Sequence, residues 1–530
     1  MITRIFLSTL MLLIMLMNFA EAAGEKILFV PHDDRPVSSQ QTAEIISALG
    51  YELLMPPKNL LGLDGANKHP DELWRWLEEN APSANAAVIA ADSLLYGGLI
   101  PSRKHEISAE ILAARVENFK NLRDNNPNLN LYVFGSLMRT PFTGTKGDIE
   151  EPEYYAEHGG NIFNLTALND KAEISRLSRD EQNYRDYLQN IIPAEFLNDW
   201  LNRRAKNFSA TKKLIDFTSA GIIDYLIIGR DDNSPLGQTH LENRQLLAYA
   251  EKNNLPKNKF QSLAGIDEFN LLLLTRAINE LRGEIPAINI RYNTGKGAKT
   301  VPEFSDETIG KSIRDEIIIL GGKLVDNPAR ADFVLLVNTD ENGEARWVHN
   351  RKPDGTIFKP ILTPTHDTKY FAKLVENYLA KNYPVGVADI KYSNGADNAL
   401  MKILQEKNLL FKLQSYAGWN TATNSTGFAL STGVLAKHMA ADAKNKLLAR
   451  RYLDDWAYQA NIRSIVGCQL DPVHYYQFDG ERAWVESEET RLMNEFAQKN
   501  LPAFKYLRGL KVTNPWNRMF ECEIEFGNET

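Results

Sequence analysis

Residues 26–49 read KILFVPHDDRPVSSQQTAEIISAL, which is a short apolar segment, a polar loop and then an amphipathic segment. The spacing predicts a β-strand over Lys26–Val30 and a helix over Gln40–Leu49, whose first turn Ser38 or Ser39 can cap. The same unit recurs downstream, where the predicted strand Ala86–Ala91 leads through a polar loop into the helix Ala109–Leu122. The chain is therefore built of βα repeats.

Further apolar segments of strand length follow the first two. They are Leu131–Phe134, Tyr225–Ile228, Gln261–Gly265, Ile288–Tyr292, Phe333–Val337, Val385–Ile390 and Phe411–Tyr416. Strands that alternate with helices form mainly parallel sheets, because each parallel neighbour requires a crossover connection. We predict an α/β fold with two α/β domains and a helical insertion. A βα barrel followed by a smaller α/β domain is the alternative, and strand counting does not decide between the two.

The 530 residues exceed what one hydrophobic core usually serves. We expect an N-terminal α/β domain at residues 24–285, a C-terminal α/β domain at 286–445, and an extension of helix and short strands at 446–530. The helical insertion is predicted at about 140–215, where Arg176–Ile191 and Phe196–Ala205 have helical spacing and little strand character.

The first residues have the features of a secretory signal peptide. Arg4 precedes an apolar run from Ile5 to Phe19, and Ala20-Glu21-Ala22 supplies the small residues that a signal peptidase requires. The run is shorter than the ~20 residues that cross a bilayer. We predict a signal peptide at residues 1–22, export to the periplasm or the medium, and no membrane span in the mature chain.

The composition restricts the partners. The chain is 43% hydrophobic and 24% charged, as in ordinary globular proteins, and its net charge is −8. Nucleic acids demand basic surfaces, so we expect no nucleic-acid partner and a neutral or small ligand instead. The polar clusters described next favour a small or oligomeric, carbohydrate-like ligand. The two cysteines, Cys468 and Cys522, could form one bridge or remain separate thiols, and the oligomeric state is not indicated.

Polar side chains cluster directly after seven of the predicted strands. Ligands collect at the carboxyl ends of parallel strands, because loops and helix amino termini converge there. Any single Asp or Asn can instead cap the following helix. The repetition favours a shared polar pocket, with Asp33, Asp34, Asp231, Asp267 and Glu268 as candidate catalytic residues. The candidate substrate-binding residues are Arg35, Asp92, Tyr96, Arg103, Arg139, Arg230, Asp232, His240, Asp389, Asn394, Asp397, Trp419, Asn420 and Asn424.

Paired carboxylates indicate a hydrolase. Two carboxyl groups can share acid and base roles when their environments separate their pKa values, as glycoside hydrolysis requires. Trp419 and Tyr96 could stack on sugar faces, and the arginines could hold substrate or carboxylates. The leading hypothesis is an exported, glycoside hydrolase-like enzyme acting on a glycan or a similar polar substrate.

Two alternatives remain open. A two-lobed solute-binding protein would hold the same carbohydrate without chemistry. A metal-dependent hydrolase would use His32, Asp33 and Asp34 with His240 and Asp231, which suit a divalent ion. The sequence contains no His-Glu-x-x-His motif, calcium loop or cysteine pair, so we predict no obligatory cofactor and assign no metal ligands.

Five motifs occur in order along the chain: VPHDDRPVS, DSLLYGGLIPSR, GRDDNSPLGQTHLE, AGIDEFNLLLLTRA and YAGWNTATNSTG. Through them the chain resembles the bacterial family called domain of unknown function 4127, over roughly residues 26–445. The resemblance implies no established activity. It does imply that Asp33, Asp34, Arg35, Arg103, Asp231, Asp232, Asp267, Glu268, Trp419 and Asn420 belong to one shared site. His32 departs from the apolar residue expected in the family, which argues against a metal role for this histidine.

Overall fold

The computed structural model of the protein describes residues 24–62, 69–344, 346–347, 362–502, 504 and 507–527. The predicted signal peptide at residues 1–22 lies outside the described residues. No helix among the described residues is long and apolar enough to cross a bilayer.

Fifteen strands are present in these segments. They are β1 (Lys26–Val30), β2 (Glu52–Leu54), β3 (Ala86–Ala90), β4 (Asn130–Leu137), β5 (Tyr225–Arg230), β6 (Phe260–Ala264), β7 (Ala287–Tyr292), β8 (Lys323–Leu324), β9 (Phe333–Asn338), β10 (Arg346–Trp347), β11 (Val385–Asp389), β12 (Tyr392–Ser393), β13 (Ser415–Ala417), β14 (Lys511–Thr513) and β15 (Glu523–Glu525).

Two parallel sheets form the body of the molecule. The N-terminal sheet has the order β2-β1-β3-β4-β5-β6, and the C-terminal sheet has the order β13-β11-β9-β7-β8. Both are open sheets with edge strands, so the βα barrel alternative is wrong and the prediction of two mainly parallel sheets is confirmed. Smaller pairs join β10 to β12 and, antiparallel, β14 to β15.

The helices follow the strands in the expected alternation. They are α1 (Gln40–Ser47), α2 (Pro70–Asn80), α3 (Ala91–Tyr96), α4 (Leu99–Lys104), α5 (Ala109–Asn125), α6 (Tyr155–Ile174), α7 (Arg179–Ile191), α8 (Ala194–Ser219), α9 (Gln238–Lys252), α10 (Phe269–Leu281), α11 (Ile309–Ile319), α12 (His366–Ala380), α13 (Asn398–Glu406), α14 (Ala422–Leu435), α15 (Ala441–Arg451), α16 (Arg463–Gly467) and α17 (Arg482–Asn500), with a π-helix at Tyr452–Ile462 between α15 and α16.

One hydrophobic core joins the two sheets. Helix α10 packs on β3 and β4 of the N-terminal sheet, whereas α14 packs on β9, β11 and β13 of the C-terminal sheet. The two helices also pack against each other. This position explains the apolar run FNLLLLT at the start of α10, because a helix between two sheets is buried on nearly every side. The division into domains stays a prediction.

The helical insertion consists of α6, α7 and α8, which lie between β4 and β5. A capping box begins α7: Ser178 Oγ accepts from the Glu181 amide, and the Glu181 carboxylate accepts from the Ser178 amide. The chain after residue 445 forms α17, the π-helix and the β14-β15 pair, and it returns to the N-terminal sheet, where Trp516 Nε1 donates to Asp34 Oδ1 at 2.8 Å.

Two local expectations are corrected, and one alternative that the sequence left open is resolved. Neither serine caps α1, because Ser38 Oγ lies 3.1 Å from His32 Nε2 and Ser39 Oγ donates to the Arg35 carbonyl. The predicted strand Phe411–Tyr416 begins inside a short 3₁₀ turn at Leu410–Lys412, and the observed strand begins only at Ser415. Both cysteines are free thiols, so no bridge joins Cys468 to Cys522.

Candidate functional site

A pocket of about 290 Å³ lies at the carboxyl end of the N-terminal sheet. Loops after β1, β4, β5 and β6, with helix α4 after β3, form its floor and walls, and the loops after β11 and β13 of the C-terminal sheet close one side. Its charged lining consists of Arg35, Arg103, Arg139, Arg518, Asp148, Glu150, Asp231, Asp232, Asp267 and Glu521. This volume is close to the lower limit for small-molecule sites, so one or two sugar units would fit.

Asp267 is the most firmly held carboxylate in the pocket. Arg35 Nη2 donates to its Oδ1 at 2.6 Å, and His32 Nε2 lies 3.1 Å from the same oxygen. Asn420 Nδ2 donates to its Oδ2 at 2.6 Å, with Asn424 Nδ2 at 3.4 Å. Burial alone would raise the pKa of Asp267, but the charge of Arg35 and the contacts of His32 outweigh burial and lower it to about 2. Asp267 is therefore ionised at neutral pH.

Asp231 and Asp232 follow β5 and occupy another wall of the pocket. Each is paired with one arginine: Arg103 Nη2 donates to Asp231, and Arg139 Nη1 donates to Asp232 Oδ2 at 2.8 Å. Burial and the neighbouring Asp231 charge raise the pKa of Asp232 to about 7, against the attraction of Arg139 and Arg103. Asp232 also has a left-handed backbone with φ of 39°, which is uncommon for aspartate and marks a locally constrained turn. Near neutral pH it can donate a proton.

Glu150 connects the arginines of the pocket to one another. It accepts from Arg103 Nη1 at 2.7 Å and from Arg518 Nη1 at 2.7 Å, and it lies 3.0 Å from Arg139 Nη1. Burial opposes ionisation, but the three guanidinium groups hold the pKa of Glu150 well below its usual range. Because Arg518 belongs to the C-terminal extension, Glu150 attaches that extension to the wall that carries Asp231 and Asp232.

Aromatic rings provide the apolar part of the lining. They are Phe142, Phe304, Trp419, Tyr476, Trp516 and Phe520. Phe142 is 51% exposed and stacks on Phe304, with ring centroids 6.5 Å apart. Trp419, the predicted stacking wall, reaches the pocket but is only 9% exposed. Phe142 is thus better placed than Trp419 to cover the face of a sugar ring.

The pocket brings together nine of the residues singled out in the sequence. These are Arg35, Arg103, Arg139, Asp231, Asp232, Asp267, Asn394, Trp419 and Asn420. Asn394 and Asn420 have left-handed backbones, and the Asn394 amide donates to the Asn420 carbonyl at 3.0 Å. This bond ties the two loops of the C-terminal sheet together at the rim.

Three of the predicted catalytic carboxyls lie behind the pocket rather than in its lining. Asp33 accepts from Arg35 Nε at 2.9 Å, and although burial raises its pKa, the charges of Arg35 and His32 give a net lowering. Asp34 accepts from Trp516, and burial raises its pKa. Both carboxyls thus hold residues that do line the pocket.

Glu268 is the third of these carboxyls, and it has no exposed surface. Neither of its carboxyl oxygens has a hydrogen-bond partner among the described residues. Burial, and then the nearby Glu316 carboxyl, raise the pKa of Glu268 well above its usual range. Glu268 and Asn424 border a separate cavity of about 10 Å³ behind Asp267, which has room for about one water molecule. The geometry gives Glu268 no access to a substrate.

The other predicted residues have structural partners outside the pocket. Arg230 pairs with Asp306 and Glu307, and His240 with Asp170. Tyr96 stacks on His105, with centroids 4.9 Å apart.

Asp92 accepts from Ser136, and burial raises its pKa to about 7. Asp389 accepts from Asn338 and Tyr416, and Asp397 caps α13, which is the helix-capping alternative considered for single aspartates.

The side chains considered as metal ligands from the sequence do not lie together at one point. His240 contacts the helical insertion through Asp170, whereas His32 lies beside Asp267 and Arg35. No three His, Cys, Asp or Glu side chains among the described residues are grouped so that they could hold a metal ion.

Several lining residues were missed from the sequence. Asp148 and Glu150 lie in the loop that precedes the helical insertion, and Tyr476, Trp516, Arg518, Phe520 and Glu521 come from the C-terminal extension. None comes directly after the end of a strand in either large sheet, which was the signal used to select candidates. The tail is rich in Trp, Tyr and Arg, residue types that are enriched at binding surfaces, and this composition is a signal that could have pointed to it.

Comparison with known proteins gives one result. The model of the family described as "Protein of unknown function (DUF4127)" matches residues 27–525, which include both large sheets, the insertion and the extension. Searches of curated proteins and of solved structures found no match.

Proposed function

Because the chain belongs to this family, whose description names no activity, we propose a function from the pocket itself: an exported hydrolase of a glycan or a similar polar substrate. The observation that carries the proposal is a pair of carboxyls lining one pocket with pKa values pushed apart. Asp232 has a pKa of about 7 and Asp267 a pKa of about 2. This separation is what acid and base roles require of two carboxyl groups.

In the proposed mechanism Asp232 is the general acid. Its protonated carboxyl would donate to the leaving-group oxygen, while Arg139 holds its Oδ2 in place. Asp267 supplies the permanent negative charge, either as nucleophile or as the base that activates water. Its four hydrogen-bonding neighbours fix its orientation, which favours reaction in a defined geometry.

The proposal includes a specific pH dependence. The acid works only while Asp232 is protonated, so kcat/KM should fall above about pH 7. Asp267 works only while ionised, so the acidic limb should lie near pH 2 unless the fold fails first. Asp232→Asn should abolish the limb near pH 7 together with most of the activity.

Export is part of the proposal and rests on the leader pattern of residues 1–22. Tandem mass spectrometry of the N-terminus of the protein recovered from the medium or periplasm checks it. A mature chain that begins at Ala23 or Gly24 supports export. A chain that retains the apolar run Ile5–Phe19 contradicts it.

The direct test is a mass-spectrometric screen of the purified mature protein against cell-wall and polysaccharide fragments. Asp232→Asn and Asp267→Asn are the test variants, and Asp180→Asn, an exposed aspartate on α7, is the matched control. Products formed by the wild type and the control but not by the test variants support the hydrolase. Equal product formation by all four proteins contradicts these assignments.

A carbohydrate-binding protein without catalysis is the second candidate. It is favoured by the hydrogen bonds already present around Asp267, which make the pocket a preorganised cradle, and by loops of both sheets meeting there. In the same screen this candidate predicts an intact fragment retained by the wild type and no product.

A further inference from the structure

We propose that the pocket selects its substrate by charge, accepting sugars that carry an amine, tolerating uncharged sugars and rejecting sugars that carry a carboxylate, sulfate or phosphate. The inference rests on the proposed function, from which it takes the identity of the ligand as a sugar. It assigns the pocket arginines a structural role instead of the anion-gripping role that arginines in a binding site usually suggest.

All the positive charge of the pocket is already paired. The pairs are Arg35 with Asp267 at 2.6 Å, Arg103 with Glu150 at 2.7 Å, Arg139 with Glu151 at 2.6 Å, and Arg518 with Glu150 at 2.7 Å. No lysine or histidine lines the pocket within the described part of the chain. An anionic substrate would have to share these guanidinium groups with the carboxylates, and repulsion between its charge and theirs would oppose binding.

Negative groups also outnumber positive ones. Four arginines line the pocket against six carboxyls; burial raises the pKa of Asp232 to about 7 and also raises the pKa of Glu521 above its usual value. Two more carboxylates, Asp33 and Glu151, lie directly behind and pair with Arg35 and Arg139. The field inside the pocket is therefore negative at neutral pH, and a water-poor concave wall strengthens its effect on a bound charge.

Asp148 is the group best placed to receive an ammonium. Its side chain is 23% exposed in the pocket lining, and its closest arginine nitrogen, Arg139 Nη2, is 3.6 Å away. Its Oδ1 accepts from the Glu150 amide at 2.9 Å, which fixes the carboxylate in the loop before the insertion. Among the residues that the structure describes, the other oxygen has only the long contact with Arg139, so an amine could add a partner without breaking an existing short pair.

The test uses isothermal titration calorimetry at pH 6 with full-length mature Asp232→Asn, which should bind without turnover. The probes are tetramers of glucosamine, of N-acetylglucosamine and of glucuronic acid. We expect the glucosamine tetramer to bind about tenfold more tightly than the acetylated one, as one additional favourable charge contact allows. The glucuronic acid tetramer should bind at least another tenfold more weakly. Equal or tighter binding of the glucuronic acid tetramer, or no binding of any probe, overturns the charge selection.

A second variant tests the residue assignment. Asp148→Asn in the same background should remove most of the tenfold preference for the amine and leave binding of the acetylated tetramer within about twofold. Asp180→Asn is the control and should change neither affinity. An unchanged preference in Asp148→Asn overturns the role of Asp148. Binding in the expected order without any product from the wild type would refute the hydrolase while leaving the charge selection standing.

Discussion

Replacing Glu268 with glutamine should weaken the dependence of stability on pH. The Glu268 carboxyl is completely buried, and its pKa is raised well above its usual range, first by burial and then by Glu316. It must therefore take up a proton when the chain folds at neutral pH. The amide has nearly the same shape and needs no proton, so it isolates the cost of that protonation.

The magnitude follows from proton linkage. The usual pKa of a glutamate carboxyl is 4.5, and above this pH the unfolded chain has released the proton that folded Glu268 keeps. The folded state binds more protons, so stability is highest below pH 4.5 and falls as pH rises toward the folded pKa. Each pH unit over which folded Glu268 keeps its proton costs about 1.4 kcal/mol, so the loss from pH 5 to pH 7 reaches about 2.5 kcal/mol if the proton is kept across the whole interval.

Urea unfolding followed by tryptophan fluorescence at pH 5 and pH 7 measures the effect. The free energy of unfolding of Glu268→Gln relative to the wild type should rise between the two pH values, by up to about 2.5 kcal/mol. Any fixed cost of burying the amide cancels in that difference. Glu79→Gln, on the exposed side of α2, controls for the change of residue type. Parallel pH dependences of wild type and Glu268→Gln would refute the assignment of Glu268 as a buried neutral acid.

Three further predictions concern stability and access. Gly265→Ala should destabilise the protein by about 3 kcal/mol in urea unfolding, because Gly265 has φ of 107° and the new Cβ would clash with the Glu268 carboxyl. A change below about 0.5 kcal/mol would contradict this packing. Arg204→Met should lower the free energy of unfolding by about 3–5 kcal/mol, because it leaves the buried Glu242 carboxylate without its arginine. The double variant Arg204→Met/Glu242→Met should recover part of that loss if the broken pair is the cause. Cys522 should resist iodoacetamide until urea unfolds the protein, since it is 2% exposed and burial raises the pKa of its thiol, whereas Cys468 should label in the native state. Fast native labelling of both thiols would contradict the burial of Cys522 in the core.

The alternation of apolar strands and amphipathic helices was sufficient to predict the fold class. Segments such as Ala86–Ala90 are buried on both faces, so their apolar runs directly report a central parallel strand. Short edge strands carry no such signal. Lys323–Leu324 is exposed and only two residues long, and its place in the sheet depends on pairing with β7. The strand at Ser415–Ala417 was misplaced because the apolar residues before it pack as a turn.

The candidate site was predictable only where it follows a strand. Asp232 and Asp267 could be selected because strand ends converge at one edge of a parallel sheet. Arg230 lies at the end of a strand as well but does not line the pocket, because its side chain pairs with Asp306 and Glu307 instead. Arg518 comes from a segment hundreds of residues away in the chain, and local periodicity contains no information on such a contact.

The pKa values of Asp232 and Asp267 test the central claim most directly. Aspartate-selective ¹³C labelling resolves carboxyl resonances over a pH titration, and spectra of Asp232→Asn and Asp267→Asn assign the two signals. We predict a midpoint near pH 7 for Asp232 and an Asp267 signal that stays ionised down to about pH 2 or to acid unfolding. Titration of both carboxyls together near pH 4 would show that the pocket does not separate acid from base, and would contradict the proposed mechanism.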